Sequence, residues 1–263
     1  MNGREKGAIK IAFVLIGIGA LIFCGALASS GFNPLKLSRG VSGYEQRSAQ
    51  FVGPFSRVRI EDVDANICIL PTKEAQCIVY YDETDRSGYH LSIEDDALVI
   101  VRERSWLDSF GIIMSAPKLN VYLPEAEYDA VDVRVVSGSI QVEGLNTKEM
   151  DLATTSGKIQ LSYANVTGEA ALKTISGGIK MEAFRAGSLN AKTTSGGIRL
   201  DDVDAEELEL HTTSGSIKGE LMSGKEFEAS SVSGRISVPE SKPGAGICSA
   251  STTSGSISIS VAK

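Results

Sequence analysis

The chain has 263 residues, only 6% of them aromatic, and a formal net charge of −7. Its first 28 residues, with Arg4, Glu5, Lys6 and Lys10, sum to +2, so the remainder carries −9. That balance argues against nucleic-acid binding by phosphate neutralisation and against adhesion to anionic polymer by bulk charge.

The first element is an uncharged run over residues 11–28, IAFVLIGIGALIFCGALA. Its length is near the minimum for a membrane span. Arg4, Lys6 and Lys10 precede it and no basic residue follows until Lys36. The positive-inside bias then predicts a cytoplasmic N-terminus (residues 1–10), a transmembrane signal-anchor (11–28) and an extracytoplasmic remainder. The rival is a cleaved signal peptide, for which Ala26-Leu27-Ala28 is an acceptable cleavage site. The apolar run exceeds the usual length of a signal-peptide core, which favours the retained anchor. Residues 29–50 are rich in Ser and Gly without period and read as a flexible stalk.

Residues 51–128 form an N-terminal β segment and cap. Val58–Ile60, Ala65–Leu70, Cys77–Tyr81, His90–Ile93, Leu98–Arg102 and Lys118–Leu123 are short β-branched or alternating runs between turn formers. Cys68 and Cys77 flank a turn at Pro71–Glu74. They could face each other across a hairpin as a disulfide, or be two reduced core thiols. Residues 105–116, SWLDSFGIIMSA, hold the only Trp. They are read as a hairpin over the open end of the fold, with an exposed contact loop for a partner or membrane as the alternative.

Residues 129–263 are organised by seven copies of Ser-Gly-x-Ile, starting at Ser137, Ser156, Ser176, Ser195, Ser214, Ser233 and Ser254. A period of 19 to 21 residues marks a solenoid of stacked coils. Counting each repeat from six residues before its Ser, position 1 reads Val131, Met150, Ala170, Leu189, Leu208, Phe227 and Cys248. Positions 3 and 5 are likewise apolar or small, and position 5 is mostly Thr: Thr154, Thr174, Thr193, Thr212, Thr252. Alternate residues share one side of a strand, so these columns point inward, with the Thr hydroxyl shared between coils. The Ile of every motif and the residue two later form further inward columns, and Leu145, Ala164, Phe184, Val203 and Met222 form a third inward segment. The Ser-Gly pair is read as a tight corner, where Gly tolerates left-handed or crowded backbone, with an internal Ser ladder along it. Cys248 falls in a core column and His211 in an outward one. The last repeat, ending at Val261, is expected to expose an open edge.

Candidate chemistry is sparse. Lys180, Arg199 and Lys218 form an outward basic stripe that could bind an anionic glycan, but Glu182, Asp201 and Glu220 lie beside it and suggest mutual pairing. Asp201, Asp202 and Asp204 could be an acid cluster of a polysaccharide-acting enzyme, against the simpler reading of a solvated turn. Two histidines, no CxxC, no P-loop and no Gly-x-Ser-x-Gly leave no catalytic, cofactor-binding or metal-ligating set, and no cofactor is expected.

The TTSG-x-I units at Thr155-Ser156-Gly157, Thr194-Ser195-Gly196 and Thr213-Ser214-Gly215 resemble those of the bacterial putative-adhesin family, a domain of unknown function. So do Cys77–Tyr81, Asp96–Ile100, Trp106, Val121-Tyr122-Leu123-Pro124 and Tyr128, so that the resemblance spans about residues 51–263. It implies a single-stranded parallel β-helix in membrane-anchored or secreted envelope proteins, with relatives in envelope-stress and regulatory operons and no established catalytic residues. The expectation is therefore an all-β, membrane-anchored extracytoplasmic β-solenoid, a non-enzymatic envelope scaffold or adhesin-like module. Its partners would be the membrane through the N-terminal helix and an envelope protein or glycan, not nucleic acid. The alternatives are a polysaccharide-acting β-helix enzyme and a self-assembling surface protein.

Overall fold

The computed structural model describes residues 44–84, 87–104 and 116–262. Among them every regular element is a strand, and none is a helix long and apolar enough to cross a membrane. The transmembrane helix expected over 11–28 and the Trp106–Met114 loop lie outside the described residues.

Before the repeats come β1 (Glu45–Phe51), β2 (Arg57–Asp62), β3 (Asn66–Thr72), β4 (Cys77–Glu83), β5 (Ser87–Glu94), β6 (Ala97–Arg104) and β7 (Lys118–Pro124). The first repeats give β8 (Glu127–Val135), β9 (Ile140–Glu143), β10 (Asn146–Thr154), β11 (Ile159–Ser162) and β12 (Asn165–Thr174). Two long strands, β13 (Ile179–Thr193) and β14 (Ile198–Thr212), each run from one repeat into the next. Then follow β15 (Ile217–Leu221), β16 (Glu226–Ser231), β17 (Ile236–Ser237), β18 (Ile247–Thr252) and β19 (Ile257–Val261).

The repeats stack in parallel and in register. Val131 lies beside Met150, Met150 beside Ala170, and Leu189 beside Leu208, as the columns require. Two further coils continue the stack ahead of the first repeat. β2 pairs with β8 and β3 with β9, so β2–β3 is the next coil; β6 pairs with β2 and β7 with β3, so β6–β7 lies beyond it. Antiparallel β5 on β6, with β4 on β7 and β1 on β4, completes that end. Residues 45–50, expected to be the end of a flexible stalk, are therefore strand. EQRSAQF has no apolar alternation because β1 is an edge strand lying largely in solvent.

The inward columns form one core. Val133, Leu152, Leu172, Ala191 and Leu210 are fully buried, as are Ile140, Ile159, Ile179, Ile198, Ile217 and Ile257 within 1%. One assignment fails. Met222 is exposed and Leu221 is buried in its place. The fifth repeat is one residue shorter at this corner: Gly219 has φ +151°, and Leu221 pairs with Val203.

At the Ser-Gly corner the crowded alternative holds, and the Ser ladder does not form. The motif serines are exposed. The internal ladder is made by position 5: Thr154, Thr174, Thr193 and Thr212 donate to the carbonyls of Gly138, Gly157, Gly177 and Gly196 one coil away, at 2.8–2.9 Å. The glycines are needed for close approach. A Cβ on Gly196 would lie 1.8 Å from the Gly177 carbonyl oxygen, and one on Gly215 1.8 Å from that of Gly196. The left-handed corner is instead the one seven residues after the Ser, at Gly144, Tyr163, Ala183 and Asp202, with φ between 48° and 62°.

The last repeat is not at the end of the stack. β18 lies between β14 and β16, and β19 between β15 and β17. The order of layers is therefore repeat 5, repeat 7, repeat 6. The open edge expected on repeat 7 belongs to repeat 6, where Ile236 and Val232 are exposed and Phe227, Ala229 and Val238 are only partly covered.

Candidate binding faces

Each sheet of the stack turns one side to solvent, and its outward residues form ruled columns. On the sheet containing β8, β10, β12, β14 and β18, charges pair within and between coils. Arg134 donates to Asp132 on its own strand and to Asp151 of the next coil at 2.8 Å. Lys148 meets Asp129 at 2.6 Å, and Lys192 meets Glu209 at 2.8 Å, where Asn190 also donates. These pairs are exposed and screened by solvent, so they add little to stability. Two shallow depressions of about 420 and 430 Å³ lie along this face, and apart from Lys173 their charged lining residues, Glu149, Glu169 and Glu207 among them, are acidic.

His211 lies in the outward column as expected, its Nδ1 2.8 Å from the Ser251 hydroxyl of the adjacent layer. A third depression, about 450 Å³, borders the Ser-Gly corner, where Val136, Thr155 and Ile175 meet Arg134 and Lys173. Val136 and Ile175 are each about half exposed, at 49% and 52%.

On the opposite sheet Lys180, Arg199 and Lys218 stand in register, as do Glu182 and Asp201, while the register shifts before Glu220, which lines the same depression as Asp201. Lys180 closes on Glu182 at 2.9 Å. The three aspartates do not converge. Asp202 is the exposed left-handed corner residue. Asp204 accepts from Ser223 at 2.8 Å and pairs with the buried Lys225 at 2.7 Å. Partial burial acts to raise the Asp204 pKa, but the Lys225 and Ser223 hydrogen bonds outweigh it and hold the carboxyl below its usual range. A general acid needs the opposite shift.

Among the described residues, Cys68, Cys77 and Cys248 are free. β7 lies between β3 and β4, so the hairpin that would have joined Cys68 to Cys77 does not form. Cys68 faces outward between the inward Ile67 and Ile69, while Cys77 points into the core. Burial pushes the Cys77 thiol up to about 12 and the Cys248 thiol to about 11, which makes both poor nucleophiles.

One polar cluster escaped the sequence reading. Asp62 and Arg102 continue the position-5 column into the first two coils, directly after the paired Glu61 and Val101. Asp62 Oδ1 accepts from the backbone of Val63, Asp64 and Ala65 and so turns the corner without a Ser-Gly pair. Its Oδ2 accepts from the Tyr89 hydroxyl, which in turn accepts from Arg102 at 2.8 Å. Arg102 also donates to Ser87 at 3.0 Å and lies over the Tyr89 ring. The Asp62 and Arg102 side chains are 0% and 2% exposed. Opposite charges in a column otherwise filled by Val, Thr and Ser are the signal that the sequence holds for this cluster.

Three bacterial structures, among others, show similarity. A putative adhesin from Bacteroides fragilis is 14% identical, over 83% of this chain and 97% of that one, with a TM-score of 0.44. A putative lipid binding protein from Parabacteroides distasonis is 16% identical, over 84% and 98%, with a TM-score of 0.48. A putative cell adhesion protein from Clostridium sporogenes is 11% identical, over 83% and 100%, with a TM-score of 0.40. Comparison with curated proteins finds no match. The family model described as Toastrack DUF4097 matches residues 55–263, which takes in all but one of the described strands, and the chain belongs to that family.

Proposed function

We propose that the chain is a non-catalytic, adhesin-like binding scaffold of the cell envelope, held to the membrane by residues 11–28 with the coils outside the cytoplasm. Charge distribution and the apolar run support that placement. The observation that carries the scaffold reading is how the polar groups are used. Arg134, Lys148, Lys180, Lys192 and Lys225 are each tied to a carboxylate on the same or a neighbouring coil. Thr hydroxyls join coil to coil, and the thiols of Cys77 and Cys248 are buried and protonated. Such groups stiffen a surface; a partner would dock across it rather than enter a cleft. The acidic lining of the depressions favours a partner with cationic groups over an anionic polymer.

Two measurements test this. External protease added to intact cells should digest the region after residue 44, and full protection would exclude the envelope placement. Purified outer region incubated with envelope glycans should release no reducing ends. Cleavage that disappears in Asp201→Ala/Asp202→Ala/Asp204→Ala would replace the scaffold with the enzyme.

A further inference from the structure

The layer order 5-7-6 means that the last repeat is an insert between two repeats that are neighbours in sequence. We propose that this insert, Ile247–Val261, is exchangeable, and that the slot between repeats 5 and 6 also takes the same segment from a second copy of the chain.

The slot recognises only what the segment carries. Cys248, Ala250, Ile257 and Ile259 fill the core columns, each at most 5% exposed. Thr252 donates to the Gly215 carbonyl on one side, and Ser231 donates to the Gly255 carbonyl on the other. Gly246 seats against the Glu206 carbonyl, which a Cβ would meet at 2.1 Å. A copy of the segment from another molecule, entering with its own Gly246, satisfies every one of these contacts.

What makes the insert intramolecular is the connection Val238–Gly246 alone. It holds Pro239 and Pro243, and turns at Gly244, with φ +77° and open space around it. It leaves from repeat 6, the outermost layer at that end among the described residues. A straightened connection therefore leads away from the stack toward a second molecule facing it. Exchange of identical elements between two such ends is reciprocal, so it closes as a two-fold dimer. Repeat 6 is also the least buried layer of the stack, which makes it the natural lid. Sequence order helps as well: repeat 6 is synthesised before the segment that must pass beneath it.

The test uses the full chain in detergent, with Cys24→Ser and Cys68→Ser to remove competing thiols. His211→Cys and Ser251→Cys are then added at outward positions paired across β14 and β18. A short bis-maleimide links them within one chain when the insert is its own, and between chains when it has been exchanged. Cys77 and Cys248 are buried and stay unreacted. Light and heavy isotope-labelled chains are refolded together over a range of concentrations, and the linked peptides are read by mass spectrometry. Mixed light–heavy 211–251 links should rise with concentration. Deleting Ser241 and Lys242 from the connection should raise them severalfold further, because a short hinge cannot close on its own coil. Links that stay within single chains at every concentration, in both hinge lengths, overturn the proposal. Lys218→Cys with Ser258→Cys, paired across β15 and β19, gives the same two outcomes on the other sheet should the first pair fail to fold.

Discussion

At the residue scale, two kinds of corner make opposite demands. Gly196 is held by crowding: its missing Cβ is the space occupied by the Gly177 carbonyl. Gly196→Ala must push two layers apart and break the adjacent Thr212–Gly196 ladder bond. We expect a loss of about 3 kcal/mol in denaturant unfolding, at the upper end of overpacking costs. Ala183 is held by backbone dihedral instead, at φ 48° with a Cβ that disfavours it. Ala183→Gly should therefore stabilise by up to about 1 kcal/mol, the relieved strain less the added freedom of the unfolded chain. Equal effects of the two substitutions would mean that the corners are alike. The distinction was not legible in the sequence. A Gly at every Ser-Gly pair fits either a left-handed or a crowded backbone, while the true left-handed position is filled by Gly, Tyr, Ala and Asp and shows no signature.

At the element scale, what could be read was whatever the strand period of two enforces. Position 1 and position 3 carry their burial in their side chains, so Leu189, Leu208 and Cys248 were placed correctly without coordinates. The Thr ladder was legible for the same reason, and it has a measurable value. Thr193 bonds the Gly177 carbonyl at 2.8 Å and accepts from the Gly196 amide. Thr193→Val keeps the shape but leaves the buried Gly177 carbonyl and the part-buried Gly196 amide without that partner, so we expect a cost of roughly 1–3 kcal/mol in the same unfolding assay. The Asp62–Tyr89–Arg102 cluster was not legible, because its members come from three strands whose adjacency the local sequence does not encode. It makes the first coils sensitive to base. Burial first, then the Asp62 charge and hydrogen bond, push the Tyr89 phenol well above its ordinary value of about 10. The folded state thus keeps a proton that the unfolded state releases, and stability falls as pH rises beyond about 10. Below that pH both states are protonated and the group adds no slope. Tyr89→Phe should be less stable at neutral pH, having lost the bonds to Asp62 and Arg102, yet show a shallower decline under alkaline titration.

At the scale of the whole molecule, the stacking order is the property that repetition hides. Seven repeats with the same columns can be threaded in any order that keeps like beside like. Thr252 satisfies the Gly215 carbonyl by the same geometry that Thr212 uses on Gly196. Sequence therefore predicts a stack while leaving its layer order open, and the structure resolves it as 5-7-6. The consequence reverses an ordinary expectation. Chain ends are where protection from exchange is usually lowest, and in a stack of coils fraying begins at the outermost layer. Here the last repeat in sequence is an inner layer, paired on both sides in both sheets, while repeat 6 is the outer one. Native-state hydrogen exchange should find the amides of β18 and β19 more protected than those of β16 and β17, although they lie later in the chain. Protection that instead falls steadily from repeat 5 through repeat 7 would mean that the repeats are stacked in sequence order in solution. It would also leave the exchangeable insert without its slot.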